Sequence, residues 1–360
     1  MGGVRWVREA VGLDRAAARS VRQAVSAWRA LIADCGGAGQ RTLLACSGGA
    51  DSSALALALA SAGTELVVGH VVHDLRVPAE ALADRDAAKA LARRLGLPFV
   101  EASIAVRARP GNAENNARRH RYAALVGLAR AHSCPFVATG HHADDQMETV
   151  LMRLLRGAGP RGLGGMARRR ALARAGPGSG ADVWLLRPML ALSRPQAQRI
   201  CTACGVAWRV DRTNLDTSRL RAAIRHELAP AMRRIAPAAS RHFAVAAELM
   251  AQAAELCREE ALAVLARADR APHEIRWARG LLRTHREVVL GDLLALAAFE
   301  LRGERGADRL THAAVLPALR AMRDARTQPR EFEFGGVRVL VDAHRVAIRA
   351  HAAPDGDAGL

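Results

Sequence analysis

Between Arg41 and Gly205 the apolar positions follow two periods in turn. The short apolar run Thr42 to Cys46 is followed by a glycine-rich turn and then by Ala54 to Ala62, which is long enough for a helix. The pair recurs. Glu65 to His73 reads as a buried strand, and Pro78 to Leu95 as an amphipathic helix closed by Gly96. Pro98 to Ile104 precedes the helical stretch Asn115 to His132. Pro135 to Thr139 precedes Asp144 to Arg156, and Val183 to Leu186 precedes Pro195 to Cys204 with Gly205 behind it. Strands alternating with helices require right-handed crossovers, so the pattern predicts an α/β fold with a doubly wound parallel sheet.

From about residue 216 the strand pattern stops, and long Ala/Leu/Arg segments take over: Ala238 to Ala266, Glu287 to Leu301 and Ala313 to Ala325. Strand character returns from Glu331 to Ala350 around a hairpin turn at Gly335-Gly336. The expected organisation is a helical extension over 1–38, an α/β domain over 39–215, a helical domain over 216–328 and a short strand-rich tail over 329–360. Ala175 to Ala181 reads as a surface loop, and no internal repeat is visible.

Composition narrows the partners. Of 360 residues, 53 are Lys or Arg and 35 are Asp or Glu, a formal charge of +18 that favours a polyanion, nucleic acid first. Lys89 is the single lysine, so a bias toward Arg and Ala codons explains which base is used, but not the excess over acids. Six cysteines are too few for a disulfide framework and fit a reducing cytoplasm. The amphipathic, Arg-bearing stretch Met1 to Ala30 lacks the apolar segment of a signal peptide, and no run approaches a membrane span. A cytoplasmic protein without a membrane partner is expected.

In a doubly wound sheet ligands sit at the carboxyl ends of the strands, so the first strand-helix turn is the place to seek a nucleotide. Ser47-Gly48-Gly49-Ala50-Asp51-Ser52 occupies it. The glycines let backbone approach an anion, the serine hydroxyls can donate to phosphate, and the helix N-terminus adds partial positive charge. There is no Gly-Lys-Ser/Thr, so ATP phosphates would be held by backbone and hydroxyls, leaving Asp51 free for Mg²⁺. Reading Ser47 as a hydrolase nucleophile lacks the first glycine of that motif and leaves Asp51 and Ser52 without purpose.

Thr139-Gly140-His141-His142-Ala143-Asp144-Asp145-Gln146-Met147-Glu148 follows the fourth strand. Its carboxylates and imidazoles converge on the same sheet edge, where they could complete a Mg²⁺-nucleotide site, although helix capping accounts for one Asp. His70, His73, Asp74 and Arg76 end the second strand on that edge. Arg118, Arg119, Arg121 and Tyr122 share a predicted helix, and Arg219, Arg221, Arg225 and His226 form a basic cluster in which Arg225 could also balance Glu227. Gly157 to Gly162 fits GxGxxG but follows a helix, so it reads as a substrate-contacting loop with Arg161, or as a plain linker. Cys201 and Cys204 are a lone CxxC without a partner pair and read as structural.

Taken together, these strings resemble the tRNA(Ile)-lysidine synthases of the N-type ATP-pyrophosphatase (PP-loop) group. The SGGADS string is similar to the group signature. The run from Thr139 through Met166 and the segment Asn214-Leu215-Asp216-Thr217 with Ile224-Arg225-His226-Glu227 are similar to the synthases in particular. Asp74 between His73 and Leu75-Arg76, and Ala222-Ala223 before Ile224, depart from the family pattern. The resemblance implies an adenine nucleotide alpha hydrolase-like sheet and an enzyme that adenylates C2 of the wobble cytidine of an isoleucine tRNA with anticodon CAU, after which L-lysine displaces AMP. It implies Asp51 and Asp145 on Mg²⁺, His141 near the reacting base, and Arg118, Arg161, Arg221 and Arg225 on tRNA. A homodimer is also compatible. The alternatives are a tRNA thiolase of the same group and a non-catalytic RNA-binding protein of this fold.

Overall fold

The computed structural model describes residues 13–37, 40–62, 65–74, 77–106, 113–175, 181–209, 220–302, 312–334 and 336–350. Arg76, the segment Asn214 to Thr217, Arg219 and most of the Ala175 to Ala181 loop lie outside them.

Thr42–Ala45 forms β1, and its unbroken apolar run is explained by burial on both faces. The strands β2 (Leu66–His73), β3 (Phe99–Ile104), β4 (Phe136–Ala138), β5 (Arg169–Ala173) and β6 (Val183–Leu186) join it in the order β3-β2-β1-β4-β6-β5. All neighbours are parallel except β5, which runs antiparallel on the edge. Side-chain alternation divides the strands between two cores. Leu44, Val68, Ala138 and Leu186 face α1 (Arg15–Ala33), α2 (Ala50–Ala60) and the later helix Arg194–Ala203. Leu43, Val67, Val137 and Leu185 face Tyr122, Leu125 and Ala129 of Ala113–Ala131.

Helix α1 starts where Asp14 accepts the Ala17 amide at 2.7 Å, and it turns Trp28, Leu31 and Ile32 inward. Helix α2 is apolar all round because it lies between the sheet, α1 and Arg194–Ala203; every residue from Ser52 to Leu59 is buried. It begins at Ala50, four residues before its apolar run, because Asp51 to Ser53 supply a polar first turn.

From β1 the chain steps outward to β2 and β3 and then returns to set β4 on the other side of β1. The strand order therefore reverses between β1 and β4, which opens a crevice at their carboxyl ends. The helices α3 (Pro78–Leu95), α4 (Ala113–Ala131), α5 (Ala143–Leu154) and the single turn α6 (Pro160–Leu163) fall between strands, and α7 (Arg194–Ala203) follows β6.

Two compact units divide the chain: one holds 1–149 and 166–244, the other 150–165 and 245–360. In the first, α8 (Leu220–Ala223) runs through the π-helical turn Ile224–Leu228 into α9 (Ala229–Ile235). Helix α10 (Ala239–Ala266) ends in the second unit, followed by β7 (Asp269–Ala271), β8 (Glu274–Ala278), α11 (Arg279–Arg283), α12 (Glu287–Arg302), α13 (His312–Arg323), β9 (Arg330–Phe334), β10 (Val337–Val341) and β11 (Arg345–Ala350).

The strand pattern therefore does not stop at residue 216. Strands β7 and β8 stand where only helices are expected, and they complete the antiparallel sheet β7-β8-β11-β10-β9. Only Ile275 and Trp277 of β8 face the core, too few to show as alternation among Arg and Glu. Strand β5 is missed for a similar reason, because arginines fill a half-exposed edge.

Arg279 organises this second unit from inside. It is 3% exposed and donates to the carbonyls of Ala321, Met322, Asp324, Arg326 and Asp342 and to the Asp324 carboxylate. Replacing it with Met, similar in volume, removes the side-chain donor from the Met322, Asp324, Arg326 and Asp342 carbonyls, whereas Arg330 still reaches the Ala321 carbonyl and the Asp324 carboxylate. Chemical denaturation of Arg279→Met is expected to show a loss of about 3 kcal/mol; an unchanged midpoint would contradict the role.

Candidate active site

The phosphate-loop candidate is shaped mainly by two of its residues. Gly48 takes φ +81°, and a Cβ there would lie 2.9 Å from the Asp84 carbonyl oxygen, so only glycine fits without strain. Ser52 is buried beneath the loop; its Oγ accepts the Ser47 amide at 3.1 Å and lies 3.1 Å from the Gly49 carbonyl, its own acceptor. The hydroxyl expected to reach phosphate is thus occupied in holding the turn, whereas Ser47 is exposed. Gly49 and Ala50 open α2, whose first amides have no partner within the helix.

Opposite this loop, across the crevice, stands the turn after β4. A Cβ on Gly140 would lie 2.5 Å from the Asp51 carbonyl oxygen. Glycine at this position is what lets the two motifs touch.

His142 is wholly buried, and three carboxylates surround it. Its Nε2 lies 3.3 Å from Asp51 Oδ2, and its Nδ1 lies 3.3 Å from Asp145 Oδ2 and 3.8 Å from Asp144 Oδ2. Burial opposes charge on the ring, yet Asp145 and Asp51 outweigh it and raise the pKa. The neighbouring His141 behaves oppositely. Burial, helped by the charges of Arg187, Arg118 and Arg121 and opposed by Asp145, takes it down to about 3, and its Nδ1 pairs with Thr139 Oγ1 at 2.8 Å. The two adjacent imidazoles are thus pushed in opposite directions, His142 up and His141 down to about 3.

Each remaining carboxylate of the motif has a distinct environment. Asp144 accepts from Arg233 at 2.6 Å, Ser240 at 2.8 Å and the Arg194 amide at 2.7 Å, which outweighs the cost of burial and holds its pKa low. It ties together α5, α7, α9 and α10 and has little capacity left for a ligand. Glu148 is gripped by both nitrogens of the Arg225 fork at 2.7 Å and by Arg221 at 3.1 Å. Arg225 is therefore balanced by Glu148, not by Glu227. Asp145 accepts the His142 amide at 3.1 Å through Oδ2, while its Oδ1 has longer contacts to Arg225 at 3.6 Å and Arg221 at 3.9 Å. Asp51 Oδ1 is buried with no hydrogen-bond partner among the described residues, which leaves it able to take a cation or a donor.

Beside His141, Arg118 and Arg170 lie over the Tyr122 ring at 5.3 and 5.0 Å from its centre. Burial pushes the phenol up, but the charges of Arg118, Arg187, Arg121 and Arg170 bring it below its ordinary value. Arg187 itself is lowered to about 10 by burial. Arg161 belongs to the second unit and stands exposed on α6, where its charge opposes the raised pKa of Asp292. At the end of β2, His70 pairs with the Cys46 carbonyl at 2.8 Å and Asp74 accepts the Val106 amide, so both brace strand ends.

Cys201 is buried against the Ala50 carbonyl, and burial pushes its thiol up to about 12. Such a thiol is a poor nucleophile, which weighs against Cys201 as the handle of the thiolase reading. The sequence points to His142 only as one of two converging imidazoles and does not point to Arg187 or Arg194, although Arg187 directly follows β6 at the same strand ends that single out Ser47 and His141. Among the described residues no helix is long and apolar enough to cross a membrane.

A family model of the PP-loop domain matches residues 18–232. The chain is 37% identical to a tRNA(Ile)-lysidine synthase of Salinispora arenicola over 332 residues, covering 91% of this chain and 95% of that protein. It is 46% identical to the corresponding synthase of Salinispora tropica over 194 residues, 53% of this chain and 56% of that one. With the synthase of Geobacter sulfurreducens it shares 40% identity over 206 residues, 55% of this chain and 41% of that protein. On the strength of the first match, which runs nearly end to end in both proteins, and of the loop-and-histidine crevice that the family model spans, the chain belongs to the PP-loop family and, within it, to the tRNA(Ile)-lysidine synthases.

Proposed function

We propose that this enzyme ligates L-lysine to C2 of the wobble cytidine of tRNA(Ile) with anticodon CAU. The carrying observation is the meeting of the SGGADS loop and the His141 to Glu148 motif across one crevice, in a chain of this family. The cytidine O2 attacks the α-phosphorus of ATP and pyrophosphate leaves. A lysine amine then adds at C2, AMP departs with that oxygen, and the amine loses its proton. Adenylation turns a poor leaving oxygen into a good one, and the transfer is fast only if both reactants are held in place.

Ser47, Gly48, Gly49, Ala50, Asp51 and Ser52 form the ATP loop in this reading. Ser47 and the α2 amides face phosphate, while Ser52 holds the turn. Asp51 and Asp145 are the residues that would hold Mg²⁺, and the partnerless Asp51 oxygen fits that use. When bound, the ion supplies charge neutralisation to the departing pyrophosphate. His142 lies between the two carboxylates, so their joint use by one ion would require the imidazole to yield its place. His141, neutral and held by Thr139, offers the base a hydrogen bond rather than a general base. Arg118, Arg161, Arg221 and Arg225 remain the proposed tRNA contacts. Arg221 and Arg225 would act with part of each guanidinium already on Glu148, and the helices within 216–328 would add grip on the RNA backbone. A homodimer is compatible with this reading, as is a cytoplasmic location.

Release of AMP and pyrophosphate should require both lysine and a CAU-anticodon tRNA, and Asp51→Ala should lower it by about 10²-fold or more. ATP turnover indifferent to lysine would sink the reaction, and unchanged modification by Asp51→Ala would favour a non-catalytic RNA-binding protein. Because His141 titrates near pH 3, well below the working range, His141→Gln should change the rate without moving the pH-rate profile between about pH 6 and 8. A limb of the profile that disappears in His141→Gln would show that the residue titrates in that range.

A further inference from the structure

The phosphate loop carries two adjacent glycines, and a Gly-Gly peptide can flip at little cost. An anion site tolerates only one orientation, with amides rather than carbonyls facing the ligand. Something outside the loop must therefore hold the Gly48-Gly49 peptide. In this chain Arg209 does so. Its amide donates to the Gly48 carbonyl at 3.0 Å, and residues 49 and 209 form an isolated parallel bridge. That bond turns the Gly48 oxygen toward Arg209 and the Gly49 amide the opposite way, since the two point apart in a trans peptide.

The segment bearing Arg209 is itself tied down twice by α3. Arg94 donates to the carbonyls of Cys204 and Gly205 at 2.6 and 3.0 Å, where the segment leaves α7. Arg209 Nε donates to Asp84 Oδ1 at 3.2 Å, and the Asp84 carbonyl is the atom against which Gly48 rests. The Asp84 side chain is 10% exposed and that of Arg209 45%, so the pair is shielded from solvent on the Asp84 side only. Helix α3, the Cys204 to Arg209 strap and the loop thus close a ring.

Resting on the ATP reading above, we propose that Arg209 is a positioning residue for the nucleotide triphosphate, acting through the Gly48-Gly49 peptide, with Asp84 as its anchor. Three variants separate the parts. Arg209→Met keeps the amide but loses the anchor, Asp84→Asn weakens the same pair from the other side, and Arg209→Pro removes the amide.

The experiment is equilibrium binding of a non-hydrolysable ATP analogue to the full chain, together with the ATP dependence of pyrophosphate release and a melting curve for each variant. Arg209→Met and Asp84→Asn should each weaken analogue binding and raise KM for ATP by about 5- to 10-fold, leaving kcat at saturating ATP within about twofold. Their combination should be no worse than either alone, since both break one pair. Arg209→Lys should recover part of the loss, and Arg209→Pro should be the weakest binder. Wild-type protein that binds the analogue beside Arg209→Met and Asp84→Asn variants that bind it equally well would overturn the brace. So would a drop in kcat with unchanged KM. Wild-type protein that binds no analogue would instead remove the ATP reading beneath it. If Arg209→Pro fails to fold, the Met, Lys and Asn variants decide the matter.

Discussion

A buried imidazole held between two carboxylates is the constraint around which the first unit is built. His142 has no solvent to share its charge, so Asp51 on one side and Asp145 on the other set its state. Asp51 comes from the first turn of α2, which follows β1, and Asp145 from the first turn of α5, which follows β4, so the contact spans the point where the strand order reverses. It needs Gly140, because any side chain there would meet the Asp51 backbone. Burying Asp144 and Glu148 as well is tolerable only because α7, α8, α9, α10 and the π-helical turn between them deliver Arg194, Arg221, Arg225, Arg233 and Ser240 to them.

That distribution of charge sorts the carboxylates by role. Asp144 and Glu148 are saturated with donors and act as structural anchors. Asp145 is partly engaged, and Asp51 keeps a buried oxygen without a partner. The proposed phosphate loop has no lysine, so negative charge arriving there would meet helix amides, the glycine backbone and the cation that the proposal puts on Asp51. The arginines around Tyr122 and His141 add positive potential on the flank, and burial, with their help, keeps His141 neutral. A site built this way favours departure of a polyanion over transfer of a single phosphoryl group to a lysine-clamped acceptor.

Much of this was legible in the sequence, for physical reasons. Parallel strands buried on both faces leave unbroken apolar runs, and glycine-rich turns mark their carboxyl ends, so the placing of Ser47 to Ser52 and His141 to Glu148 on one edge follows from pattern alone. What stayed hidden depends on contacts distant in the chain. Glu148 and Arg225 are 77 residues apart, and nothing local to Arg225 points to Glu148 rather than Glu227. Nor does the loop sequence reveal that Ser52 faces inward, because that depends on the turn that Gly48 permits. Strands β5 and β7 escaped as edges that carry Arg where alternation would show, and β8, between β7 and β11, escaped because only Ile275 and Trp277 alternate with its Glu and Arg. Identification of cytidine and lysine rests on kinship, not on the loop.

The state of His142 is open to direct observation. In protein labelled with ¹⁵N-histidine and free of metal and nucleotide, the ring of His142 should titrate above its ordinary value of about 6.5. Asp51→Asn should bring that titration down while leaving His141 neutral throughout. A His142 that titrates at or below the ordinary value, or one that ignores Asp51→Asn, would contradict the arrangement on which the rest of the site depends.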